Sequence, residues 1–570
     1  HLFKIREREG REGWEMASKK CNKIKDCLNS HKDEVCVLKT TNTDAKEMAV
    51  LRGPLDLDIT QLTAAYRTGL YRPSDVIDAC IDVIEFSQQH LNFLVENRFE
   101  AAHEQAALSD ERYRLGCPLG PLDGVPMTVK ESFDVEGMKT TGGLPFRKDW
   151  IANVDAEIVA RMRAAGAIVV GKTNTPPLCL SMETDNLLYG RTNNPWNPLC
   201  TPGGSSGGEA VAVAIGASAF GIGSDMGGSV RLPAAFCGVV GYKPAMGAFP
   251  WGGHFPLPDL SFSDVTRMIA FGPLTRSVRD ARFLANLLHP LHVEIPLCER
   301  IGRLYVAGSL LGTHLHPDIE QVLAKGALAV GEIASETRFI LPRALPQSAD
   351  IWQHILSMDR GKTMAQLAYG KPFASALHYL PQTAMDLIRR MVGQKPLQHP
   401  WIAWAIFGSF LFAPSQKNWQ ATVRALEQGF ASLHEELTGG GVILSPAWPT
   451  PAPPHGQVVS ALLSPTRTYR FMLPYAVLAN VYGLPSITVP CGFSSTGMPL
   501  SLQLTTLPGQ EGELFAAAMQ LETAFGGCRR CRWWDPPAED KNIKDFCINI
   551  RILSKFLYIL KSSKSVCIVW

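Results

Sequence analysis

Two glycine-rich clusters place serine residues where nucleophilic chemistry could occur. The first cluster is GGSSGGE, residues 203–209, and the second is SDMGGSV, residues 224–230. A serine hydroxyl needs a base to become a nucleophile, but no histidine lies between Ser205 and Ser229. The candidate base is Lys130, at the end of the apolar run VPMTVK, because burial on a strand would lower the pKa of its amine towards neutrality.

These residue types together predict acyl transfer. One serine attacks a carbonyl carbon, the lysine takes its proton, and backbone N–H groups stabilise the oxyanion that forms. The glycines of MGGS, residues 226–229, allow consecutive N–H groups to converge on one oxygen, as in an oxyanion hole. Residue types and spacing alone leave open which serine attacks.

Two short motif matches compete with this interpretation, and the context of each argues against it. GAIVVGKT, residues 166–173, matches a phosphate-binding loop, but its middle residues favour a strand and two prolines obstruct a helix soon after Lys172. We expect Lys172 to be structural or to lie at the surface. GSSGG, residues 204–208, would make Ser206 the nucleophile of a strand-to-helix elbow, but the segment before it contains three prolines and predicts a loop.

Helix and strand patterns alternate around these clusters, which predicts an α/β fold. Amphipathic helical periodicity runs from residue 57 to about residue 108, and a helix over 155–165 leads into the strand AIVV. Residues 300–440 are mostly helical in pattern. GLPSITVPCGF, residues 483–493, and PLSLQLTT, residues 499–506, predict late strands. The N- and C-terminal thirds should therefore contribute to one sheet.

Lysine content separates a long middle segment from two tails. Residues 1–48 and 536–570 contain 13 lysines, whereas the much longer segment 49–535 contains 10. We predict one functional domain at 49–535, flanked by N- and C-terminal extensions of atypical composition. The pair CRRC at 528–531 lacks a second close pair of ligands, so we expect no metal site there.

Charge, apolar runs and cysteines narrow the function classes. The formal net charge of +2 gives no reason to expect a nucleic-acid partner. The longest run of small apolar residues, 210–223, is too short to span a bilayer, and the charged first residues do not resemble a secretory signal. Cysteines are scattered through the middle without a short secreted framework, which favours a reducing, cytoplasmic location.

The two clusters resemble the glycine- and serine-rich signature of the amidase signature family. The resemblance runs through GGSSGGEAVAVAIGASAFGIGSDMGGSVRLPAAFCGVVGYKP and the lysine segment LDGVPMTVKESFDVEGMKTTGG. It extends to ETDNLLYGRTNNPWNPLCTPGG, GPLTRSVRD and NVYGLPSITVPCGF, and it covers roughly residues 52–535. The fold that it implies is a single α/β domain with a mixed β-sheet packed between α-helices.

The resemblance implies a role for each serine and for the lysine. Ser229 would be the nucleophile, Ser205 a bridging serine held by a cis peptide bond, and Lys130 the base. The proton would pass from Ser229 through Ser205 to Lys130 and return to the leaving amine. The N–H groups of the oxyanion hole would belong to Met226, Gly227, Gly228 and Ser229. Supporting residues would be Ser206, Asp225 and Arg231.

The implied activity is hydrolysis of small-molecule carboxylic amides, other than peptide backbone bonds, to an acid and ammonia or an amine. Esters would also be cleaved, because acyl transfer to serine does not demand a nitrogen leaving group. The resemblance implies no metal and no organic cofactor, and it is compatible with a homodimer. The aromatic segment WIAWAIFGSFLF, residues 401–412, could wall an apolar substrate pocket or form a buried helix.

Two other functions stay open at this point. The first is the glutaminase subunit of a tRNA-dependent amidotransferase, which Glu209 disfavours because those subunits usually carry a small residue there. The stretch RFMLPYAVLA before Asn480 also lacks an acidic residue to hold the α-amino group of glutamine. The second is a non-catalytic scaffold with the same fold, which the presence of both serines and the lysine disfavours.

Overall fold

A mixed sheet of eleven strands forms the centre of the protein. The computed structural model describes residues 53–256, 263–289, 294–310, 314–394, 396–458, 460 and 469–536. Within these residues the strands are β1 (Leu94–Asn97), β2 (Pro126–Lys130), β3 (Ile168–Thr173), β4 (Asp185–Asn186), β5 (Gly190–Arg191), β6 (Phe220–Asp225), β7 (Val240–Lys243), β8 (Ala270–Thr275), β9 (Ile301–Val306), β10 (Ala334–Arg338), β11 (Val442–Pro446), β12 (Ser486–Phe493) and β13 (Pro499–Thr505).

Helices pack against this sheet and connect its strands. The described helices are α1 (Ile59–Thr68), α2 (Pro73–Leu91), α3 (Phe99–Arg114), α4 (Glu157–Ala164), α5 (Gly207–Ile215), α6 (Arg231–Cys237), α7 (Ser263–Arg267), α8 (Val278–Leu288), α9 (Pro317–Gly331), α10 (Ser348–Ser357), α11 (Lys362–Tyr369), α12 (Ala376–Met391), α13 (Pro400–Leu411), α14 (Gln416–Leu437), α15 (Tyr469–Val481) and α16 (Glu511–Phe525).

The strand order joins distant parts of the chain. The order is β1-β3-β2-β6-β8-β7-β12-β13-β11-β9-β10, with β4 and β5 in a separate small sheet. Strand β2 pairs in parallel with β3 and β6, and β7 pairs antiparallel with the late strand β12. The expected α/β fold with a mixed sheet is therefore confirmed, as is the contribution of the N- and C-terminal thirds to one sheet.

The early elements follow the sequence pattern closely. Helix α1 begins at a capping box in which the carboxylate of Asp58 accepts the N–H of Gln61 and the Gln61 side chain accepts the N–H of Asp58. Helix α2 begins with Pro73, which suits the first helical position because it has no N–H to satisfy. Both helices lie within the region of helical periodicity, and their apolar faces are buried in the core.

The phosphate-loop match at 166–173 lies mostly on a strand. Lys172 and Thr173 belong to strand β3. In a phosphate-binding loop the residues before the lysine would form a loop, and a helix would start at the lysine. Lys172 is fully buried, so the expected structural role is confirmed and a surface position is wrong. Its ammonium group donates to the backbone oxygen of Lys139 and to Oγ1 of Thr140, which satisfies it without contact with solvent.

The aromatic segment 401–412 forms helix α13. Ile402 and Ile406 are buried in a second apolar cluster that lies apart from the main core. The indole N–H of Trp401 donates to the backbone oxygen of Leu180. The buried-helix interpretation is confirmed for this face, whereas Trp404 on another face is 43% exposed. Across the described ranges, none of the helices is long and apolar enough to cross a membrane.

Candidate active site

Strand β2 ends at a lysine whose amine contacts two serine hydroxyls. All five residues of β2 are buried, and Lys130 is its last residue. The Nζ atom of Lys130 lies 2.7 Å from Oγ of Ser205 and 3.0 Å from Oγ of Ser224. Burial lowers the pKa of Lys130, because the charged ammonium loses its solvation. Burial therefore shifts the balance towards the neutral amine, which is the form that can take a proton.

Ser205 and Ser206 lie at the entry to helix α5. The peptide bond between Gly204 and Ser205 is cis. A Cβ atom at Gly204 would lie 2.6 Å from the backbone of Glu183, so the close approach of the chain requires glycine. Ser205 is fully buried, and its hydroxyl contacts Lys130. Two of the predicted residues, which are distant in the sequence, are thus brought together.

Ser206 contacts the backbone around the second cluster. Its N–H donates to the backbone oxygen of Ser229 at 3.1 Å, and its hydroxyl donates to the backbone oxygen of Ser224 at 3.4 Å. The residues immediately before Ser206 form no strand, so the strand-to-helix elbow that a hydrolase of that type requires does not occur here. Ser206 joins the two clusters, which fits the supporting role that the resemblance implied.

Ser229 lies in a tight turn between β6 and α6. It is 8% exposed and belongs to the wall of a cavity. The turn has Gly228 at φ +97°, a left-handed conformation that favours glycine. The carboxylate of Asp225 accepts the N–H of Gly228 at 2.8 Å and the N–H of Val230 at 3.1 Å. Asp225 therefore folds the turn that presents Ser229.

The four N–H groups expected to form the oxyanion hole differ in whether a protein atom already accepts them. The N–H of Gly228 is directed to Asp225 and is not available to an oxyanion in this conformation. Within the ranges that the structure describes, the N–H groups of Met226, Gly227 and Ser229 have no protein acceptor. Of the four amides, the one of Gly228 therefore supports the turn.

A buried ion pair holds the turn against the sheet. The guanidinium of Arg231 donates to both oxygens of Asp225 at 3.0 Å, and both side chains have no exposed surface. Burial raises the pKa of Asp225, but Arg231 and the amide of Asn480 outweigh it and hold that pKa well below its usual range. Arg231 also donates to the side-chain oxygen of Gln503 on β13. The expected bracing role of Asp225 and Arg231 agrees with these contacts.

A cavity of about 150 Å³ opens onto the serines. Its polar end contains Ser205, Ser224 and Ser229, together with Cys179 and His254. Its remaining walls are mostly apolar and include Leu180, Met226, Ile355, Leu356, Met364 and Leu367. The apolar wall therefore comes largely from α10, α11 and the loops beside them. Helix α13 contributes no lining residue within the described ranges, so its alternative role as a pocket wall is wrong.

Sequence reasoning missed three residues that contact the site. Ser224 accepts from Lys130, and His254 lies 3.1 Å from Ser224. The indole N–H of Trp352 on α10 donates to the backbone oxygen of Met226 at 2.9 Å. Ser224 could have been noticed because it lies only five positions before Ser229. His254 and Trp352 carry no such signal, since they approach from separate loops and helices.

Glu209 lies beneath the site on helix α5. It is fully buried, and its carboxyl oxygens each accept a threonine hydroxyl at 2.6 Å, from Thr128 on β2 and Thr173 on β3. Burial raises the pKa of Glu209 to about 8, although the threonine hydroxyls and Lys130 oppose this effect. Glu209 therefore joins α5 to the two strands on which the position of Lys130 depends.

Fold and site together define an α/β protein in which a buried lysine contacts one serine from each of the two glycine-rich clusters. The Amidase family profile matches residues 75–290 and 300–515 of the chain. The protein therefore belongs to the amidase signature family, as the resemblance of its motifs indicated.

Named relatives and a solved structure agree with this assignment. The chain is 32% identical to fatty-acid amide hydrolase 2-B of Danio rerio, over 86% of this chain and 93% of the relative. It is 28% identical to a glutamyl-tRNA(Gln) amidotransferase subunit of Heliobacterium modesticaldum, over 80% of this chain and 93% of that protein. The substrate complex of 6-aminohexanoate cyclic dimer hydrolase superposes with a TM-score of 0.68 and 26% identity, over 83% of this chain and 97% of the other.

Proposed function

We propose that the protein hydrolyses carboxylic amides that carry an apolar acyl group, with Ser229 as the nucleophile. The observation that carries this proposal is the 2.7 Å contact between Nζ of Lys130 and Oγ of Ser205, at the polar end of a cavity that also contains Ser229. Amide hydrolysis itself is supported by membership of the family and by the hydrolases among its relatives.

The proposed reaction begins with proton transfer through Ser205. As Oγ of Ser229 attacks the carbonyl carbon, its proton passes to Ser205, and the hydroxyl proton of Ser205 passes to neutral Lys130. The C–N bond of the tetrahedral intermediate then breaks, and the proton returns from Lys130 through Ser205 to the leaving nitrogen. Water attacks the resulting ester on Ser229 by the same route, which releases the acid and restores the serine.

Backbone amides stabilise the oxyanion in this proposal. Three N–H groups face it, those of Met226, Gly227 and Ser229, because the fourth amide of the turn donates to Asp225. The indole of Trp352 fixes the peptide group of Met226 from the other side through its bond to the Met226 oxygen. A fixed carbonyl also fixes the plane of the next N–H, which belongs to Gly227.

The apolar walls of the cavity support a substrate that carries an apolar acyl group. Side chains such as Ile355, Leu356 and Met364 would bury hydrocarbon, and burial stabilises binding by about 25 cal/mol per Å² of apolar surface. The name of the Danio rerio relative agrees with a fatty acyl chain. A cytoplasmic location, a homodimer and the domain limits 49–535 stay predictions from the sequence.

Labelling with a fluorophosphonate probe tests the nucleophile. We expect mass spectrometry to find the label on Ser229 in the wild-type protein and no label in Ser229→Ala. Ser206→Ala should still be labelled. Label on Ser206 in the wild-type protein would instead support an elbow-type hydrolase, and a folded protein without label would favour the scaffold alternative.

A matched pair of lysine variants tests the base. Lys130→Met should label much more slowly, whereas Lys243→Met should label at nearly the wild-type rate. Lys243 is an apt control because it is buried like Lys130, and its charge also acts on the Ser229 turn through Asp225, but it donates to the backbone oxygens of Pro244 and Leu484 and not to a serine. Equal loss in both variants would mean that burial of a lysine, and not base catalysis, explains the effect.

A series of amides tests the substrate class and the amidotransferase alternative. We expect kcat/KM to rise with acyl chain length, because each methylene placed in the cavity adds about 0.8 kcal/mol of binding. Glutamine should be a poor substrate. Efficient hydrolysis of glutamine without activity on acyl amides would replace this proposal by the glutaminase function of the amidotransferase relatives.

A further inference from the structure

A second branch of hydrogen bonds leads from Lys130 away from Ser205. Oγ of Ser224 lies 3.0 Å from Nζ of Lys130 and 3.1 Å from Nε2 of His254. His254 is 6% exposed and reaches the site from the loop after β7. The proposed proton path through Ser205 does not use this branch, so the presence of a buried imidazole here needs its own explanation.

The partners of His254 determine which of its ring nitrogens carries the hydrogen. Nδ1 lies 3.0 Å from the backbone oxygen of Pro256, which can only accept a hydrogen bond. A neutral imidazole has one N–H, so Nδ1 donates and Nε2 retains its lone pair. Nε2 lies 3.0 Å from Oγ of Ser132 and 3.1 Å from Oγ of Ser224. The single lone pair of Nε2 cannot accept both hydroxyls fully. Because Ser132 also has the sulfur of Cys179 as a partner, the hydroxyl of Ser224 is the one positioned to donate to Nε2.

The direction of the hydrogen bond between Ser224 and His254 determines how Lys130 is oriented. Because the single hydrogen of the Ser224 hydroxyl points to His254, its oxygen must accept an N–H from Lys130. A neutral lysine amine has two N–H groups and one lone pair. The sulfur of Cys179 is a second acceptor beside the amine. With its two N–H groups given to Ser224 and Cys179, Lys130 keeps its lone pair for the hydroxyl of Ser205.

We propose that His254 is a positioning residue of the amidase site: through Ser224 it orients neutral Lys130 so that the amine accepts the proton of Ser205. This inference depends on the proposed role of Lys130 as the base. His254 itself takes no proton from the substrate or from Ser229. It raises the fraction of enzyme molecules in which the lone pair of Lys130 faces the hydroxyl of Ser205.

The surroundings of His254 hold its ring in place for this task. The ring packs edge-to-face against Phe133, with centroids 4.7 Å apart, and lies 4.9 Å from the ring of Phe271. The backbone beside it pairs with the chain after β2, since the N–H of Phe255 donates to the oxygen of Ser132 at 2.7 Å. A ring held on both sides loses little further entropy when it accepts from Ser224.

Two substitutions at His254 separate positioning from packing. His254→Phe keeps a buried ring but removes the acceptor. We expect kcat for an acyl amide to fall about tenfold to a hundredfold, at or below the lower limit of direct acid–base effects because His254 acts only through Ser224, with KM nearly unchanged. His254→Gln can place an amide oxygen near the position of Nε2, so it should recover most of kcat.

A double-substitution cycle tests whether His254 acts through Ser224. If it does, His254→Phe should have little further effect on kcat in a Ser224→Ala background. His354→Phe is the matched control, because Nδ1 of His354 contacts a hydroxyl, that of Thr422, at 2.6 Å and makes no contact with Lys130. This control should keep the wild-type kcat.

The outcomes distinguish this inference from the proposed function. Wild-type kcat in folded His254→Phe, or fully additive effects of the two substitutions, would overturn the positioning role while leaving Ser229 as the nucleophile. Failure of the wild-type protein to label at Ser229 would overturn the proposed function itself. If His254→Phe does not fold, equal kcat in His254→Gln and Ser224→Ala would overturn the inference, since only glutamine retains the acceptor.

Discussion

Replacing Glu209 by glutamine should remove a large pH dependence from the stability of the protein. Glu209 is fully buried between α5 and the strands β2 and β3, where Thr128 and Thr173 each donate to it at 2.6 Å. Burial raises its pKa from 4.5 to about 8. Glutamine has the same shape as the protonated carboxyl and can keep one bond to each threonine, but it cannot ionise.

The sign of the effect follows from the protons bound in each state. Between about pH 4.5 and about pH 8 the folded protein keeps a proton on Glu209 that the unfolded chain has lost. The free energy of unfolding of the wild-type protein therefore falls as the pH rises through this window and becomes constant above it. One pKa unit corresponds to about 1.4 kcal/mol, so the whole window is worth up to about 5 kcal/mol.

Thermal unfolding of wild-type and Glu209→Gln protein at a series of pH values measures this difference. A chain of this size has an unfolding entropy of about 1 kcal/mol per kelvin. From pH 5 to pH 9 the Tm of the variant minus the Tm of the wild type should therefore rise by up to about 5 °C. Glu435→Gln is the control, because that carboxyl is 74% exposed and forms a surface ion pair. A Glu209→Gln difference that stays constant across this range would refute the reasoning.

Three further changes probe the turn and the cavity. Asp225→Asn should lower the free energy of unfolding by about 3–5 kcal/mol, since it leaves the buried guanidinium of Arg231 without a counter-charge, and denaturant titration measures this loss. Trp352→Phe should lower kcat severalfold with little change in Tm, because it removes a bond of about 1 kcal/mol to the Met226 oxygen; an unchanged kcat would contradict the role of that bond. Iodoacetamide should inactivate the wild-type enzyme by alkylating Cys179 in the cavity, and Cys179→Ser should resist it, as peptide mapping and residual activity would report.

The parts of the site that the sequence predicts are those carried by local pattern. The run before Lys130 is apolar and ends at a charged residue, so a buried strand with a terminal lysine follows from the letters alone. The glycines around Ser205 and Ser229 likewise indicate turns with close backbone approach. These features depend on neighbours within a few residues, and the structure agrees with them.

Other parts of the site depend on which segments meet in three dimensions. The sequence predicts four oxyanion amides from the resemblance, but the N–H of Gly228 donates to Asp225, and that bond depends on the side-chain direction at the end of β6. The cavity wall comes from residues such as Leu356 and Met364 and not from the more conspicuous aromatic segment 401–412. An apolar helix can face a core or a cavity equally well, so its sequence does not distinguish the two.

Burial alone does not distinguish Lys130, the proposed base, from two other buried lysines among the described residues. Lys130, Lys172 and Lys243 are all buried, and burial lowers the pKa of each, to about 8 for Lys172 and to about 7 for Lys243. Lys243 donates to two backbone oxygens, and Lys172 donates to one and to a threonine hydroxyl. A backbone oxygen can only accept, so it binds the amine without being able to give it a proton.

Lys130 differs because it contacts two serine hydroxyls, those of Ser205 and Ser224. A hydroxyl can accept from the amine or donate to it, so the same contact serves both directions of proton transfer. That freedom is useful only if the two hydroxyls are not equivalent, since the lone pair of the amine must face one of them. The contact of His254 with Ser224 makes them different, and the chemistry of the site depends on this asymmetry as much as on the lysine itself.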